Sequence, residues 1–448
     1  MNRGRNIDGT PDASGRRARV LDRIEAYESP NVTFIDRRAG WPLVWRKARG
    51  NHVTDTAGRR YVDLTAAFGV AAAGHANPRV VAAARRQLGL LAHGMGDVHP
   101  HPPKADLLRE LSRITFERWT AGSARPIRGR TILGNSGFEA VEAALKTAYL
   151  ATGRRGVMAF EGAYHGTGYG ALNTTHRDHF RGPFRGQLGE FGTFAPFPRR
   201  NRDLARLEEV LARRLRRRDI GAVIAEPIQG RGGIRVPPDG FLRLLRSACD
   251  AHGALLILDE VFTGCGRTAA WFACEHEKVV PDMICLGKAL TGGFPLAACV
   301  GRAELMAATW PRSTGEAIHT STFLGHPVGC AMALAQLDEI RRLDLVKRSR
   351  VEGQRLLEDL HRLGEGIRAV GLIPRGRGLM VGIEFERRDA RPAAREVWNT
   401  VLGMMARGFL VLPEGEHGEV LGLTPPLTIG RRQLSRAVEA LDMVLRAL

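Results

Sequence analysis

The chain has 448 residues, 44% hydrophobic and 25% charged, a length for two or three domains and a composition ordinary for a soluble enzyme, without biased repeats. No apolar run is long enough to span a bilayer, the polar, basic opening MNRGRNIDGTPDASGRRARV lacks the apolar centre of a secretory signal, and the single, scattered cysteines (six in all) form no CxxC pair, so a membrane protein, a disulfide framework and a zinc site are set aside and a cytoplasmic protein is expected. Lysine plus arginine outnumber acids 66 to 47, a net charge of +19 with only six lysines, but the arginines are dispersed without interleaved aromatics, which argues against nucleic-acid binding as the main task.

In chain order, residues 1–20 read as a disordered or loosely docked arm. Val44 to Leu64 gives short strands broken by Gly and Asp, as in a hairpin. Asn77-Pro78 then caps a helix, RVVAAARRQLGLL. Strand candidates follow at TILGN (131–135), GVMAF (156–160), AVIAE (222–226), ALLILDE (254–260), MICLG (283–287) and LAACV (296–300). Between them, helices are expected at 138–151, with Phe138, Val141, Leu145 and Ala148 on one face, and at 239–252, with Phe241, Leu244, Leu245 and Ala248. The segment RDLARLEEVLARRLRRR is helix-like, its terminal arginines suited to the negative end of the helix dipole. Continuous apolar strands alternating with amphipathic helices predict an α/β fold with a mostly parallel sheet covered on both faces. After about Leu334 the pattern changes to long helices and shorter strands. The expected division is 1–70, an arm and strands belonging to a small domain; 71–334, a large ligand-binding domain; and 335–448, the rest of a smaller α+β domain.

In open α/β sheets ligands sit beyond the carboxyl ends of the strands, and three motifs lie there. In LGNSGFEAVEAALK a strand passes through Asn135-Ser136-Gly137 directly into a helix. Free N–H groups at a helix start attract anions, and Gly137 would let a phosphate approach; an ordinary helix cap by Ser136 explains the motif equally well. ALLILDEVFTGCGRT ends its strand in Asp259-Glu260. A carboxylate at the end of so apolar a run needs a partner such as a metal, a ribose or a cationic ring. MICLGKALTGGFPLAACV sets Lys288 among apolar residues and glycine, where desolvation lowers an amine's pKa and frees it as a nucleophile; the other five lysines read as surface residues. A phosphate cradle, a buried acid and a desolvated lysine are the minimal set for pyridoxal phosphate.

The order and spacing of NSGFEAVEAALK, FEGAYHG, AEPIQG, LDEVFTGCGRT, GKALTGGFPLAA, STFLGHPVGCAMALA and TPPLTI resemble the class III pyridoxal-phosphate aminotransferases over about residues 40–445. That group includes ornithine, 4-aminobutyrate and ω-amine transaminases together with related aminomutases and racemases. The resemblance implies the aspartate aminotransferase-like fold and an enzyme that moves an amino group between an amine or amino-acid donor and a keto or aldehyde acceptor. Racemisation or amino migration is the alternative within the same chemistry, and a non-catalytic protein on the same fold is a more distant one. By position, the resemblance implies that Lys288 forms the Schiff base and carries the proton, and that Asp259 pairs with the ring nitrogen. It places Tyr164 and Val261 against the two ring faces, with His165 beside Tyr164. Ser136, Gly137 and Phe138 match the phosphate turn. Thr322 matches a threonine that reaches the phosphate of a neighbouring subunit, which implies a homodimer with active sites at the interface. Glu226 matches a family position but is given no role. Phe262 stands where the family has Gln, Phe138 where Thr or Ser is common, and His326 where Asn is usual. Relatives acting on ω-amino acids have a Glu after Gln-Gly and an Arg three residues before Pro-Pro-Leu, thought to mask and unmask a carboxylate site. Here those positions are Arg231 and Gly422, so that switch is expected to be absent. Arg231 then either binds a substrate carboxylate or points to solvent.

Overall fold

The computed structural model describes residues 13–367, 370–387, 389 and 391–448. A seven-stranded sheet runs in the order Gly129–Gly134, Ala297–Arg302, Met283–Leu286, Leu255–Asp259, Ile220–Ala225, Gly156–Phe160, Gly192–Ala195. Every neighbouring pair is parallel except those made by Ala297–Arg302, which is antiparallel to both its neighbours. The six strands expected here all form, with ends shifted by one or two residues. Gly192–Ala195 is the addition: its sequence, GTFA, on the sheet edge, forms no continuous apolar run to mark it.

Alternation along a strand sends successive side chains to opposite faces, and here both faces are buried. Ile224, Ile257, Cys285 and Cys299 meet Ala140, Val141, Ala144 and Ala148 of the helix Gly137–Thr152 on one side. Val223, Leu256, Leu258 and Ile284 meet Phe241 and Leu245 of the helix Phe241–His252, and Leu207 and Leu211 of Arg202–Leu215, on the other. Asp259 has the parity of Ile257, so the last residue of its strand faces the side on which Gly137–Thr152 begins. That parity brings the acid and the helix N-terminus together.

Two smaller sheets flank this core. Trp45–Arg49, His52–Asp55 and Arg60–Asp63 form an antiparallel meander, joined in parallel by Phe409–Leu410. Gly371–Arg377, Met380–Glu386, Val420–Leu423 and Leu412–Glu414 form an antiparallel sheet, in that order. The segment expected as a loose arm is helical from Ala13 to Tyr27, with Leu21 buried and Arg17 bonded to the Pro42 carbonyl; residues 1–12 lie outside the described residues. The helix Pro327–Arg342 runs through position 334, where the sequence pattern changes. His326 opens that helix by accepting the Val328 N–H at Nδ1, 3.3 Å away, so the imidazole supplies the cap that an Asn would.

Asn77 joins two helices. Its Oδ1 accepts from the N–H groups of Arg79 and Val80, capping Pro78–Leu90, while its amide donates to Glu339 of Pro327–Arg342 at 3.0 Å. Asn77→Ala removes both contacts and should destabilise the fold by about 1–2 kcal/mol, measured as a lowered thermal midpoint; an unchanged midpoint would mean that solvent replaces the cap at no cost.

Candidate active site

A cavity of about 240 Å³ opens at the carboxyl ends of the central strands. Of the expected residues, Gly137, Phe138, Tyr164, His165, Asp259, Val261, Lys288 and Arg231 line it. Ser136 immediately precedes this wall. Thr322 is exposed and does not reach the cavity of its own chain.

Asp259 is 6% exposed. One of its oxygens accepts the Val261 N–H at 3.0 Å, and the other lies 2.8 Å from His165 Nδ1. His165 is held in turn by its backbone N–H on Thr175 Oγ1, and its Nε2 is buried without a hydrogen-bond partner among the described residues. The carboxylate therefore has the partner that its apolar strand demanded, on a ring fixed by a further contact.

Lys288 follows the strand Met283–Leu286 with φ near 38°, a left-handed conformation that costs a non-glycine residue energy and is typical of sites where position matters more than stability. Its Nζ lies 4.7 Å from the centroid of the Phe262 ring. Burial pushes its pKa down, opposed by Asp259, Glu226 and Glu414. The direction is the one a nucleophilic amine needs. Phe262 thus puts an apolar, electron-rich face against the lysine where the family carries a Gln. Lys104 differs from the surface role expected of it: it is half-buried, its amine donates to the Gly96 carbonyl at 2.6 Å, and burial lowers its pKa.

At the start of Gly137–Thr152, Glu139 reaches back to the N–H groups of Asn135 and Ser136. The Ser136 hydroxyl is buried and has no hydrogen-bond partner among the described residues. The cap that could have explained this motif is therefore made by Glu139, and Ser136 Oγ remains free for a ligand. A Cβ on Gly137 would stand 2.9 Å from Val261 Cγ1, so only glycine fits between the helix start and that side chain. Phe138, 36% exposed, packs over Gly166 and Gly168.

Three participants were not given roles by the sequence. Glu226 is buried just past the strand Ile220–Ala225. It accepts the Tyr164 N–H at 2.9 Å and the Gly230 N–H at 2.7 Å, tying together the two loops that form opposite walls. Burial raises its pKa to about 7 against the lowering effect of His165. The signal that marked Asp259, an acid ending an apolar strand, applied to Glu226 as well. Glu414 and Arg177 carry no such local signal. Glu414 lies 3.8 Å from Arg231 Nη1, and Arg177 acts on both of them electrostatically. Arg231 sits 5.9 Å over the Tyr164 ring, on the cavity wall rather than in open solvent.

Pyridoxal phosphate fits this set. The Ser136 hydroxyl, unpartnered among the described residues, suits a phosphate at the helix start, the buried Asp259 suits a protonated ring nitrogen, and the desolvated Lys288 amine suits an aldehyde. The site is that of a pyridoxal-phosphate enzyme.

The family model for class-III aminotransferases matches residues 34–445, and the chain belongs to that family. It is 36% identical to a 5-aminovalerate aminotransferase of Pseudomonas aeruginosa, over 89% of this chain and 92% of that protein. It is 35% identical to a putrescine aminotransferase of Pectobacterium atrosepticum, over 98% and 90%. Its fold is similar to that of a PLP-bound amine transaminase from an uncultivated Pseudomonas species, with a TM-score of 0.84 and 31% identity over 94% of this chain and 98% of that one. The protein is a pyridoxal-phosphate-dependent aminotransferase. No helix among the described residues is long and apolar enough to cross a membrane.

Gly137→Ala should raise the dissociation constant for pyridoxal phosphate about tenfold or more, because the new Cβ must push Val261 aside. Absorbance titration of the apoprotein reads this, and a far-UV spectrum equal to wild type would show the fold intact.

Proposed function

We propose that amino-group transfer in this protein is carried by Lys288 and Asp259, on the observation that Lys288 lines the cavity with its amine desolvated and in the electrostatic reach of Asp259. Pyridoxal phosphate supplies the aldehyde that receives the amino group and a ring that withdraws electrons from the reacting carbon. Lys288 would hold the cofactor through Nζ, and its amine would move the proton to and from the substrate carbon. Asp259 keeps a proton on the ring nitrogen, and His165 fixes that carboxylate. Ser136, Gly137 and Phe138 bind the phosphate, mainly through hydroxyl and backbone N–H groups. Tyr164 and Val261 flank the ring.

Thr322 completes the phosphate site of a neighbouring subunit in a homodimer; its exposure and its distance from its own chain's cavity support that reading. We assign the cofactor to a large domain of residues 71–334 and the smaller α+β domain to the N-terminal strands before it together with residues 335–448. A cytoplasmic location fits six cysteines that are all free and buried. Arg231 supplies a cation to a substrate carboxylate; its place on the cavity wall favours this over the solvent-facing alternative.

Borohydride reduction of the holoenzyme followed by peptide mapping should place the pyridoxyl group on Lys288; finding it on Lys104 would overturn the assignment. Lys288→Ala should still bind cofactor yet lose turnover. Asp259→Asn should remain folded with kcat reduced by orders of magnitude, since it cannot hold the ring-nitrogen proton. Wild-type turnover in that variant would remove Asp259 from the mechanism.

A further inference from the structure

The ring of Phe262, the residue standing where a Gln is usual, is gripped by two glycines. A Cβ on Gly69 would stand 2.7 Å from Phe262 Cε2, and one on Gly230 would stand 2.4 Å from Cδ1. Those carbons are para to each other, so two separate backbones close on opposite edges of the ring. Neither position has room for a side chain while the ring stays where it is. Phe262 also packs on the buried cluster of Ile228, Ile234 and Met380. The same Cβ on Gly69 would lie 3.9 Å from Lys288 Cδ, so turn, ring and lysine stem form one packed unit.

Both gripping segments are themselves fixed. Gly230 donates its N–H to Glu226 at 2.7 Å. Gly69 ends a turn in which Ala66, Ala67 and Phe68 have φ of 47°, 48° and 62°, left-handed values that cost energy in residues with side chains. Such a turn persists where its surroundings over-determine it. Here its last residue is pressed against Phe262.

The ring faces the Lys288 amine at 4.7 Å, and among the described residues that amine donates no hydrogen bond and makes no ion pair. The charged groups acting on it are Asp259, Glu226 and Glu414, which favour the ammonium, and Arg231, which opposes it. Asp259 is engaged by His165 and the Val261 N–H, Glu226 by the N–H groups of Tyr164 and Gly230, and Glu414 faces Arg231. An ammonium at this place gives up water and gains the ring quadrupole. An amide oxygen would return more, through a charge-assisted hydrogen bond.

We propose that Phe262 is a positioning residue for Lys288: held between Gly69 and Gly230, its ring shuts water and polar partners away from Nζ and keeps the amine uncharged, ready to bond an aldehyde. The inference rests on the reading of Lys288 given above. It adds the residue that sets the charge of the amine, and it makes the two glycines necessary companions of a phenyl ring at 262.

The test follows trace acetylation of the full-length apoprotein by acetic anhydride across pH, with mass spectrometry of the Lys288 peptide. This yields the titration midpoint of that one amine without turnover. Phe262→Gln should raise the midpoint by about one pH unit, leaving an uncharged fraction about tenfold smaller at pH 7. Capture of pyridoxal phosphate at pH 7 should slow by a similar factor. Gly230 lies outside the left-handed region and the three atoms nearest its added Cβ all belong to Phe262, so Gly230→Ala displaces the ring and should raise the midpoint too. In a Phe262→Leu background, where no ring remains to displace, Gly230→Ala should add nothing. A midpoint unchanged or lowered in Phe262→Gln would overturn the proposal, and so would a Gly230→Ala effect that is absent, or that persists in the Phe262→Leu background. Should Phe262→Gln fail to fold by far-UV spectrum, the Gly230→Ala comparison decides alone. Borohydride labelling away from Lys288, with its midpoint still moved by Phe262→Gln, would leave this role of Phe262 standing and count against the reading of Lys288 alone.

Discussion

Asp259 closes a strand in which Leu256, Ile257 and Leu258 are wholly buried, and a carboxylate there must be compensated or neutralised. The compensation is His165, brought from the loop after the strand Gly156–Phe160, with Val261 N–H as a second donor. Much of the site follows from this pairing. His165 carries Tyr164 with it to the cavity wall, and Glu226 then anchors the Tyr164 backbone and, through Gly230, the loop holding Arg231. Strand parity sends Asp259 toward the helix Gly137–Thr152, so acid and anion-binding end face one cavity. Lys288 arrives from the adjacent strand, in parallel register with that of Asp259.

The net charge of +19 is spread over a solvated surface and has little bearing on this cavity. What matters is a small set of charged groups at the cavity, Asp259, Glu226, Glu414 and Lys288 buried and Arg231 partly exposed on its wall. Low dielectric strengthens their mutual effects. Glu226 and Glu414 are each raised to about 7 by burial, while Lys288 is lowered by it, so burial shifts the acids and the amine toward one another.

The departures from the family pattern have separate physical consequences. His326 reproduces the cap of the residue it replaces, because an imidazole nitrogen accepts a backbone N–H as an amide oxygen does. Phe138 has no polar side-chain atom, so its side chain offers no hydrogen bond where Thr or Ser would. Phe262 exchanges a polar contact for a ring against the Lys288 amine, which sharpens the desolvation of that lysine. Arg231 and Gly422 are linked through Glu414: the missing side chain at 422 makes room for the acid that pairs with Arg231. The masking pair of the family is missing at its usual positions, yet the arginine still has a carboxylate neighbour, supplied by another strand.

The sequence by itself determined the elements whose signal is local. Apolar runs placed six of the seven strands of the large sheet to within two residues, Asn77-Pro78 placed a helix start, and acids or a lysine at strand ends marked Asp259 and Lys288, since burial of a charge is legible from its immediate neighbours. Gly192–Ala195 and the helix from Ala13 escaped that reading; one is a short edge strand, and the other is a polar helix held by distant contacts such as Arg17 with Pro42. Only the tertiary structure decided that Ser136 Oγ is left free, that Glu226 ties two loops, and that Glu414 and Arg177 attend Arg231. Residues 177, 231 and 414 are separated by long stretches of chain, and no periodicity or spacing records which charges folding will bring within reach of one another.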